Sequence, residues 1–257
     1  MIFHQPSNSR GGFNFNSFIY RDTEWKQHFH KNYELIYVKC GNADIRINDE
    51  KINLTKGCAV LLFPYSVHSI KINSLSTVWI GVFSDDYISE YSNKHKNKSY
   101  AIIRLSEEIG EFLENDLFKA HTPQKYYLIG YLNIVCGQLD EYGEYTKKHG
   151  DMSRMAEILK YIDNNYTDEI SMTQAAQVLG YEYHYFSKIF HNCFSINFSE
   201  FVNMYRVENA SRLLNSDSDM SIADIAEKSG FKSIRNFNRC FKKIYGTSPS
   251  DYRKITD

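Results

Sequence analysis

The sequence has no C-x-x-C pair, no apolar run as long as a membrane span and no excess of charge of one sign. Its five cysteines are scattered, which argues against a disulfide framework and favours a reducing compartment. No apolar stretch reaches the roughly 18–20 residues that cross a bilayer, and the polar first 18 residues do not resemble a secretory signal peptide. These absences predict a cytoplasmic protein without a membrane anchor.

The charge balance alone predicts no polyanionic partner. The 257 residues carry 30 basic and 31 acidic side chains, and residues 151–257 carry 13 and 14. A nucleic-acid site must therefore be sought in local clusters of charge. The length suits two domains, and a hydrophobic share of 42% supplies enough apolar residues for two cores.

Residues 221–252 predict a helix-turn-helix unit. Ser221 and Asp224 form a weak version of a helix-capping box, and Gly230 suits the tight turn that follows the first helix. A second helix, Ser233–Tyr245, is predicted to bury four side chains, namely Phe237, Cys240, Phe241 and Ile244. The second helix of such a unit lies in the major groove of DNA.

A local basic cluster supports this interpretation. Six lysines and arginines and no acid occur from Lys228 to Lys243. The exposed face of the second helix would carry Arg235, Asn238, Arg239 and Lys242. Lysine and arginine attract phosphates, while arginine and asparagine can also bind base edges.

The unit occurs twice. Ser171, Gln174, Ala176 and Gly180 lie 50 positions before their counterparts in the second copy, and a full capping box is predicted from Ser171 to Gln174. The second helix of this first copy, Glu182–Asn192, would bury Phe186, Ile189 and Phe190. Its predicted exposed side chains are Tyr183, His184, Ser187, Lys188 and His191. This face is less basic than that of the second copy, which favours base reading by the first copy and phosphate anchoring by the second. The sequence leaves the reverse assignment open.

The segment Phe198–Asn215 predicts one amphipathic helix that connects the two copies. A stiff connector would fix the separation of the two reading helices, which should enter major-groove segments about one turn apart, roughly 34 Å. A bent DNA site would help such a rigid pair to bind.

From about Ile158 to Arg253 the chain resembles the AraC/XylS family of bacterial transcription regulators. The matching residues include Tyr185-Phe186-Ser187-Lys188-Ile189-Phe190, Ile225-Ala226-x-x-x-Gly230-Phe231, Asn236-Phe237-x-Arg239-x-Phe241 and Gly246-Thr247-x-Pro249-x-x-Tyr252-Arg253. Ser195 departs from the glycine that the family usually has at the end of the first reading helix.

The resemblance implies double-stranded promoter DNA and RNA polymerase as partners, and a homodimer. It implies base-facing side chains at His184, Ser187, Lys188, Ile234, Arg235, Asn238 and Arg239, to which the basic face adds Lys242.

The N-terminal half predicts an antiparallel β-barrel or sandwich. After a leading arm, Met1–Tyr20, short β-type runs follow one another between turns such as Asn48-Asp49 and Gly57. The predicted strands are Phe18–Tyr20, Tyr33–Cys40, Ala43–Ile47, Lys51–Leu54, Ala59–Phe63, Val67–Ile72 and Thr77–Phe83.

Two short motifs in this half resemble those of cupins. His28, His30, Glu34 and Gly41 match the first motif, and Gly57, Pro64 and His68 match most of the second. Histidines at alternate strand positions share a face, so His28, His30, Glu34 and His68 are predicted to bind a small-molecule ligand. The same four could bind a divalent metal, or they could hydrogen-bond only to one another.

Residues 101–142 predict a pair of helices. Leu105–Lys119 forms the first, and the second starts at Thr122-Pro123, with threonine as N-cap. Its apolar seam, formed by Leu128, Leu132, Val135 and Leu139, predicts either a dimer contact or packing on the barrel.

The predicted fold class is therefore α+β, with a cupin-like antiparallel β-barrel and a helical dimerisation pair before an all-α domain of two helix-turn-helix units. The expected divisions are a sensor with arm at 1–100, the helical pair at 101–142, a linker at 143–152 and the DNA-binding domain at 153–257.

The leading hypothesis is a transcription regulator, predicted to be a non-enzymatic activator without a cofactor, that responds to a small-molecule effector such as a sugar. The alternatives are a metal-dependent cupin enzyme with a DNA-binding tail, and a regulator of the same type without a small-molecule ligand.

Overall fold

A computed structural model describes residues 3–4, 13–47, 50–119, 123–147, 150–194, 196–216 and 219–256, without side chains at 3–4, 150–152, 193, 216 and 255–256. Four sequence predictions lie outside these residues: the Thr122 cap, the Asn48-Asp49 turn, the effect of Ser195 and half of the leading arm. The chain divides into two units, Met1–Ala156 and Glu157–Asp257.

The first unit is built mainly of strands. They are β1 Phe3–His4, β2 Phe15–Arg21, β3 Glu24–Phe29, β4 Tyr33–Cys40, β5 Asn42–Ile47, β6 Glu50–Thr55, β7 Cys58–Leu62, β8 His68–Ile72, β9 Thr77–Phe83, β10 Lys98–Arg104 and β11 Glu144–Lys147. They form two sheets, in the orders β1-β3-β8-β5-β6 and β11-β10-β7-β4-β9-β2. All pairings are antiparallel except that of β1 with β3.

The two faces of the six-stranded sheet pack against different partners. Along β4, Ile36 and Val38 belong to an aliphatic core shared with the five-stranded sheet. Leu35 and Tyr37 point the other way, into a core that includes residues of the helices. Alternate side chains of a strand point to opposite faces, and burial on both faces explains why β4 is an almost continuous apolar run.

Three α-helices complete this unit: α1 Ser89–Lys94, α2 Glu107–Asn115 and α3 Lys125–Tyr142. The seam residues of α3, Leu128, Leu132, Val135 and Leu139, are all buried in the same core as Leu113 of α2. The interpretation of this seam as a dimer contact is therefore wrong, because the protomer itself covers it. The predicted start of α3 also moves, since Gln124 is its N-cap.

Several predicted bounds fall inside strands. β2 begins within the predicted leading arm, β10 crosses the predicted division at residue 100, and β11 lies within the predicted linker. β11 pairs with β10, so its backbone groups are satisfied in a ladder despite a polar sequence.

The second unit is helical. α4 Gly150–Asn165 starts before it, and α5 Met172–Val178, α6 Tyr183–Phe194, α7 Phe198–Ser216, α8 Ile222–Lys228, α9 Ile234–Tyr245 and α10 Pro249–Thr256 follow. Among the helices that the structure describes, none combines the length and apolar character needed to cross a bilayer.

Candidate nucleic-acid interface and sensor cluster

The two helix-turn-helix units share one turn geometry. Gly180 and Gly230 adopt left-handed φ values of 73° and 86°. The amide after each glycine donates to a carbonyl five residues earlier, from Tyr181 to Ala176 at 2.8 Å and from Phe231 to Ala226 at 2.9 Å. This is the Schellman ending of a helix, and its occurrence at both positions extends the 50-residue repeat from sequence to hydrogen bonds.

The helix starts also follow the sequence prediction. Ser171 and Gln174 form a reciprocal capping box at α5. At α8 the Ser221 hydroxyl accepts from the Asp224 amide at 3.1 Å, which is the weaker cap. Each cap satisfies a backbone donor that the helix itself leaves free.

Helix α9 has one buried face and one basic face. Phe237, Cys240 and Phe241 are buried as predicted, but Ile244 is 45% exposed. The prediction for Ile244 was wrong because helical spacing identifies a face but not how far its neighbours cover it. The predicted DNA-facing residues of this helix, Ile234, Arg235, Asn238, Arg239 and Lys242, are all exposed.

Not every base of the 228–243 cluster is available to a partner. Lys232 pairs with Glu169 at 2.5 Å, and Lys243 pairs with Glu200. Among the described residues no acidic partner is found for Arg235 or Lys242. The basic surface that a partner can reach is therefore smaller than the six lysines and arginines in the sequence indicate, and it is centred on α9.

Arg239 is oriented by its own helix. Its Nη2 donates to Asn236 Oδ1 at 2.8 Å, one turn earlier. A guanidinium already held in place loses less side-chain entropy when it binds a base or a phosphate.

Helix α6 offers a more neutral face. Phe186, Ile189 and Phe190 are buried, whereas His184 and Lys188 are exposed and Ser187 is half-buried. The start of α6 is capped by an acid, since the Glu182 carboxylate accepts from the Tyr185 amide at 3.0 Å. Backbone hydrogen bonds at His184 and Tyr185 lower the pKa of Glu182.

The two reading helices therefore differ in their electrostatics at the N-terminus. The carboxylate of Glu182 takes an amide that could otherwise bind a phosphate. The cap of α9 is the neutral Ser233, whose hydroxyl accepts from the Asn236 amide at 3.3 Å. The start of α9 therefore lacks the negative charge that Glu182 places at the start of α6.

The connector α7 is covered on nearly all sides. Phe201 and Tyr205 lie in the aromatic core of the first copy, while Val207, Ala210 and Leu214 lie in that of the second. The prediction of an amphipathic helix was wrong, because both repeats pack around the connector and leave it no exposed face in its middle.

Arg206 on α7 has a positioning role that the sequence did not indicate. Its Nε donates to the Tyr166 carbonyl at 2.6 Å and its Nη2 to the Asp168 carbonyl at 2.8 Å. The guanidinium thereby fixes the loop between α4 and α5 to the connector.

In the first unit, the four predicted ligand-binding side chains come together. His28, His30, Glu34 and His68 are 1–4% exposed, and their ligand atoms all lie within 4.8 Å of one another. His28 and His68 are directly opposite each other on β3 and β8, and Glu34 reaches them from β4 in the other sheet. The cluster thus joins the two sheets.

Hydrogen bonds orient the rings of this cluster. His30 Nε2 lies 2.7 Å from Glu34 Oε2, and His68 Nε2 lies 3.4 Å from the same oxygen. Burial alone would raise the pKa of Glu34, but the two histidines outweigh it and hold that pKa well below its usual value. Burial and the nearby His68 lower the pKa of His28 to about 3, so this imidazole is neutral.

Aromatic side chains near the cluster were missed by sequence reasoning. Phe18 and Tyr20 lie on one face of β2, and Tyr20 packs edge-on against Trp25 of β3 with ring centroids 4.4 Å apart. Burial and the charge of Glu34 raise the pKa of Tyr20. The signal in the sequence was the aromatic alternation at positions 18 and 20.

Comparisons with known proteins agree with this architecture. The family model described as an AraC-like ligand binding domain matches residues 13–93, and a helix-turn-helix domain model matches residues 151–255. The HTH-type transcriptional activator AarP of Providencia stuartii is 32% identical over 111 residues, which cover 42% of this chain and 82% of AarP.

Two further relatives differ in how much of their own length this chain covers. The melibiose operon regulatory protein of Escherichia coli is 22% identical over 256 residues, covering 89% of this chain and 83% of the relative. The HTH-type transcriptional regulator YtdP of Bacillus subtilis is 38% identical over 97 residues, but the chain spans only 12% of its length.

The fold also has a solved counterpart. The unsaturated-fatty-acid-bound structure of ToxT from Vibrio cholerae superposes with a TM-score of 0.54 at 16% identity, covering 95% of this chain and 96% of ToxT. The chain belongs to the AraC family of helix-turn-helix transcriptional regulators, with an AraC-like ligand-binding domain before its two helix-turn-helix units.

Proposed function

We propose that this regulator binds promoter DNA through α6 and α9 and activates transcription in response to a small-molecule effector, a sugar. The observation that carries the DNA part is the pair of outward faces on two units with matching turns. The activating role is supported by the printed function of AarP. The proposed place of action is the cytoplasm, with RNA polymerase as the partner of the bound regulator.

The roles of the DNA-facing residues follow from their chemistry. Arg239 and Asn238 can form bidentate contacts with base edges, while Arg235 and Lys242 supply charge for phosphates. On α6, His184, Ser187 and Lys188 supply fewer charges, so this helix would depend more on base contacts. The acidic Glu182 cap at the start of α6 also supports this assignment of base contacts to α6 and phosphate contacts to α9.

A selection experiment tests the DNA part. The full chain is incubated at physiological salt with a pool of randomised duplexes, and bound duplexes are enriched over several rounds. The proposal expects a motif with two conserved blocks about one helical turn apart. A pool that stays random after enrichment, with the protein still folded, would contradict sequence-specific binding.

The sugar part rests on the printed name of the melibiose operon regulatory protein and on the aromatic side chains near the polar cluster. Aromatic rings next to hydrogen-bonding groups form a surface that suits an amphipathic ligand. Phe18, Tyr20 and Trp25 are the rings. The direct contact of His28, His30, Glu34 and His68 with the effector stays a prediction.

Ligand-dependent thermal unfolding tests the effector. The full chain is heated with melibiose, other mono- and disaccharides, or an unsaturated fatty acid, and one sugar is expected to raise the midpoint. Trp25→Ala should abolish that shift, whereas Phe112→Ala, which removes an exposed aromatic ring elsewhere in the unit, should not. A response to the fatty acid alone would replace the sugar as effector without affecting the DNA part.

Homodimerisation remains part of the proposal, but through a different face of α3. Tyr126 and Tyr127 are 84% and 64% exposed, while the predicted seam is buried. A second copy is the proposed occupant of this face because the resemblance to the AraC family implies a dimer. Sedimentation should show a dimer that Tyr126→Ser with Tyr127→Ser weakens; an unchanged dimer would exclude this face.

A further inference from the structure

Three lysines at one end of the six-stranded sheet form a surface that we call the lysine patch. Lys96 lies in the turn between α1 and β10, Lys98 is the first residue of β10, and Lys147 is the last residue of β11. Lys98 and Lys147 are directly opposite each other on the paired strands. The Lys98 amide donates to the His95 carbonyl at 3.0 Å, and this tight turn keeps Lys96 near Lys98. Lys96 and Lys147 are exposed and Lys98 is half-buried.

The ammonium group of Lys98 lies over an aromatic stack. Its Nζ is 5.0 Å from the centroid of the Tyr145 ring, which is a cation–π contact. The Tyr145 ring is stacked on the His95 ring, with centroids 4.6 Å apart and planes 12° apart. The Lys98 side chain is thus held in place before a partner arrives, which lowers the side-chain entropy lost on binding.

The lysine patch has no acidic partner. Over the described part of the chain, no ion pair is found for any of its three lysines. The Asp140 carboxylate already pairs with Lys94 and His95. Glu144, the acidic residue of β11, is three positions from Lys147 and so points to the other face of the strand. Like charges directly opposite each other destabilise a strand pair, and an anionic partner would remove this repulsion.

A similar pair in the five-stranded sheet does have an acidic neighbour. Arg46 and Lys51 are also directly opposite each other, on β5 and β6. Asp44 lies two residues before Arg46 and therefore on the same face. A hydrogen bond from Asn53 and the charges of Lys71 and Lys51 lower the pKa of Asp44, so its carboxylate offsets these bases. The positive charge of the lysine patch is not offset in this way.

The backbone of DNA is the anionic partner that this patch fits. Lysine attracts phosphate as a compact point charge, and each lysine that neutralises a phosphate releases counterions. Only residues 148 and 149 separate Lys147 from α4, the helix that leads into the helix-turn-helix units. The patch is thus tethered to any duplex that those units bind, and the tether raises its effective concentration near that duplex. A free anion lacks this advantage.

We propose that Lys96, Lys98 and Lys147 bind backbone phosphates of the DNA that flanks the operator. The assignment rests on the proposed binding of promoter DNA and extends it from the helical unit to the sensor unit. Because phosphate contacts carry no direct sequence information, the patch adds affinity and salt dependence but no further conserved bases. It gives a chain with a net charge of −1 a second local site of positive charge.

The length of the duplex tests the proposal. The full chain is titrated with two duplexes that carry the same enriched motif, one ending at the motif and one with flanks of about 15 base pairs on each side, or one and a half turns. The wild type should bind the longer duplex about tenfold more tightly at low salt, with a slope of log K against log salt that is steeper by up to about 2.7, from 0.9 for each of three phosphates. The combined variant Lys96→Gln, Lys98→Gln and Lys147→Gln should lose both differences and keep its affinity for the short duplex.

The matched control removes the same number of charges from the other sheet. Combined Arg46→Gln, Lys51→Gln and Lys71→Gln changes three exposed bases of the sensor unit and should leave the preference for the longer duplex intact. Equal affinities of the wild type for the two duplexes, as expected if the patch binds an acidic protein instead, would overturn the proposal. So would the same loss in the control and in the lysine-patch variant.

Acetylation of the wild-type protein requires neither a folded variant nor an operator. The full chain is treated with a lysine-acetylating reagent at low salt, alone or with a long duplex of random sequence, and the modified lysines are identified by mass spectrometry. Lys96, Lys98 and Lys147 should react several-fold more slowly with DNA, while Lys51 should react at the same rate. Unchanged rates at the patch would overturn the proposal. Protection of the patch in a chain that enriches no motif would uphold the patch and contradict only the sequence-specific binding proposed for α6 and α9.

Discussion

At the scale of single residues, Arg239 is the side chain on which DNA affinity should depend most. It is exposed on α9 and oriented by Asn236. Arg239→Ala should weaken operator binding by about 1–3 kcal/mol, measured by gel-shift titration. Lys51→Ala, the same change of charge on an exposed residue of the sensor unit, is the control. Equal affinities for the Arg239 variant and wild type would remove Arg239 from the interface.

The two turn glycines give a matched pair for stability. Both need a left-handed backbone, which costs a residue with a side chain about 1–2 kcal/mol. A Cβ at Gly180 would meet nothing within 4 Å, whereas one at Gly230 would lie 2.6 Å from the Thr167 carbonyl oxygen. Gly180→Ala should therefore cost only the backbone strain.

Gly230→Ala should destabilise the second unit by about 1–3 kcal/mol more than Gly180→Ala, because the loop at Thr167 must move. Urea unfolding followed by helical circular dichroism measures the difference. Equal losses in the two variants would show that the close approach at Thr167 is unimportant.

At the scale of elements, one acidic side chain of α3 fixes both β11 and the end of α1 to that helix. Asp140 of α3 accepts hydrogen bonds from Lys94 at 2.8 Å, His95 at 2.6 Å and Tyr145 at 3.1 Å. Burial would raise the pKa of Asp140, but these bonds outweigh it and lower that pKa. Its stabilisation is thus present above the unfolded pKa, about 3.9, and is lost as pH falls through the lower folded value.

Asp140→Asn should lower the stability of the first unit by about 1 kcal/mol at neutral pH, since the site is partly exposed. The difference from wild type should shrink below pH 4. Thermal unfolding across pH 2–7 tests this, with the exposed Asp86→Asn as control. A difference that does not change with pH would assign the effect to packing rather than charge.

The elements differ in how well the sequence predicts them. β4 and β9 were predicted with their observed bounds, because burial on both faces makes each a continuous apolar run. β3 and β11 were missed, since their sequences are polar and their pairing depends on distant strands. Local periodicity likewise could not show that the α3 seam is covered by its own protomer.

The candidate sites also contain some features that the sequence predicts and others that it does not. The DNA-facing residues were predictable because helical spacing and a repeat place them, and the structure finds them exposed apart from the half-buried Ser187. The four cluster residues were predictable from cupin-like spacing, and the structure brings them together. The unpartnered Nε2 of His68 and the clamp formed by Arg206 were not, because both depend on contacts with residues distant in sequence.

At the scale of the whole molecule, the chain consists of two units with separate tasks. The sensor unit holds a buried polar cluster, and the helical unit holds α6 and α9, the proposed reading helices, on one buried connector. An effector that binds one conformation of the sensor better than another would shift the population that binds DNA. The effector can shift this population only as far as its affinities for the two conformations differ.

The central claim is that α6 and α9 each enter a separate segment of the major groove. Hydroxyl-radical footprinting on an enriched duplex should show two protected patches about one turn apart on one face. Combined His184→Ala and Lys188→Ala should remove one patch, and combined Arg235→Ala and Arg239→Ala the other. A single patch in the wild type, or the same patch lost in both double variants, would contradict the account.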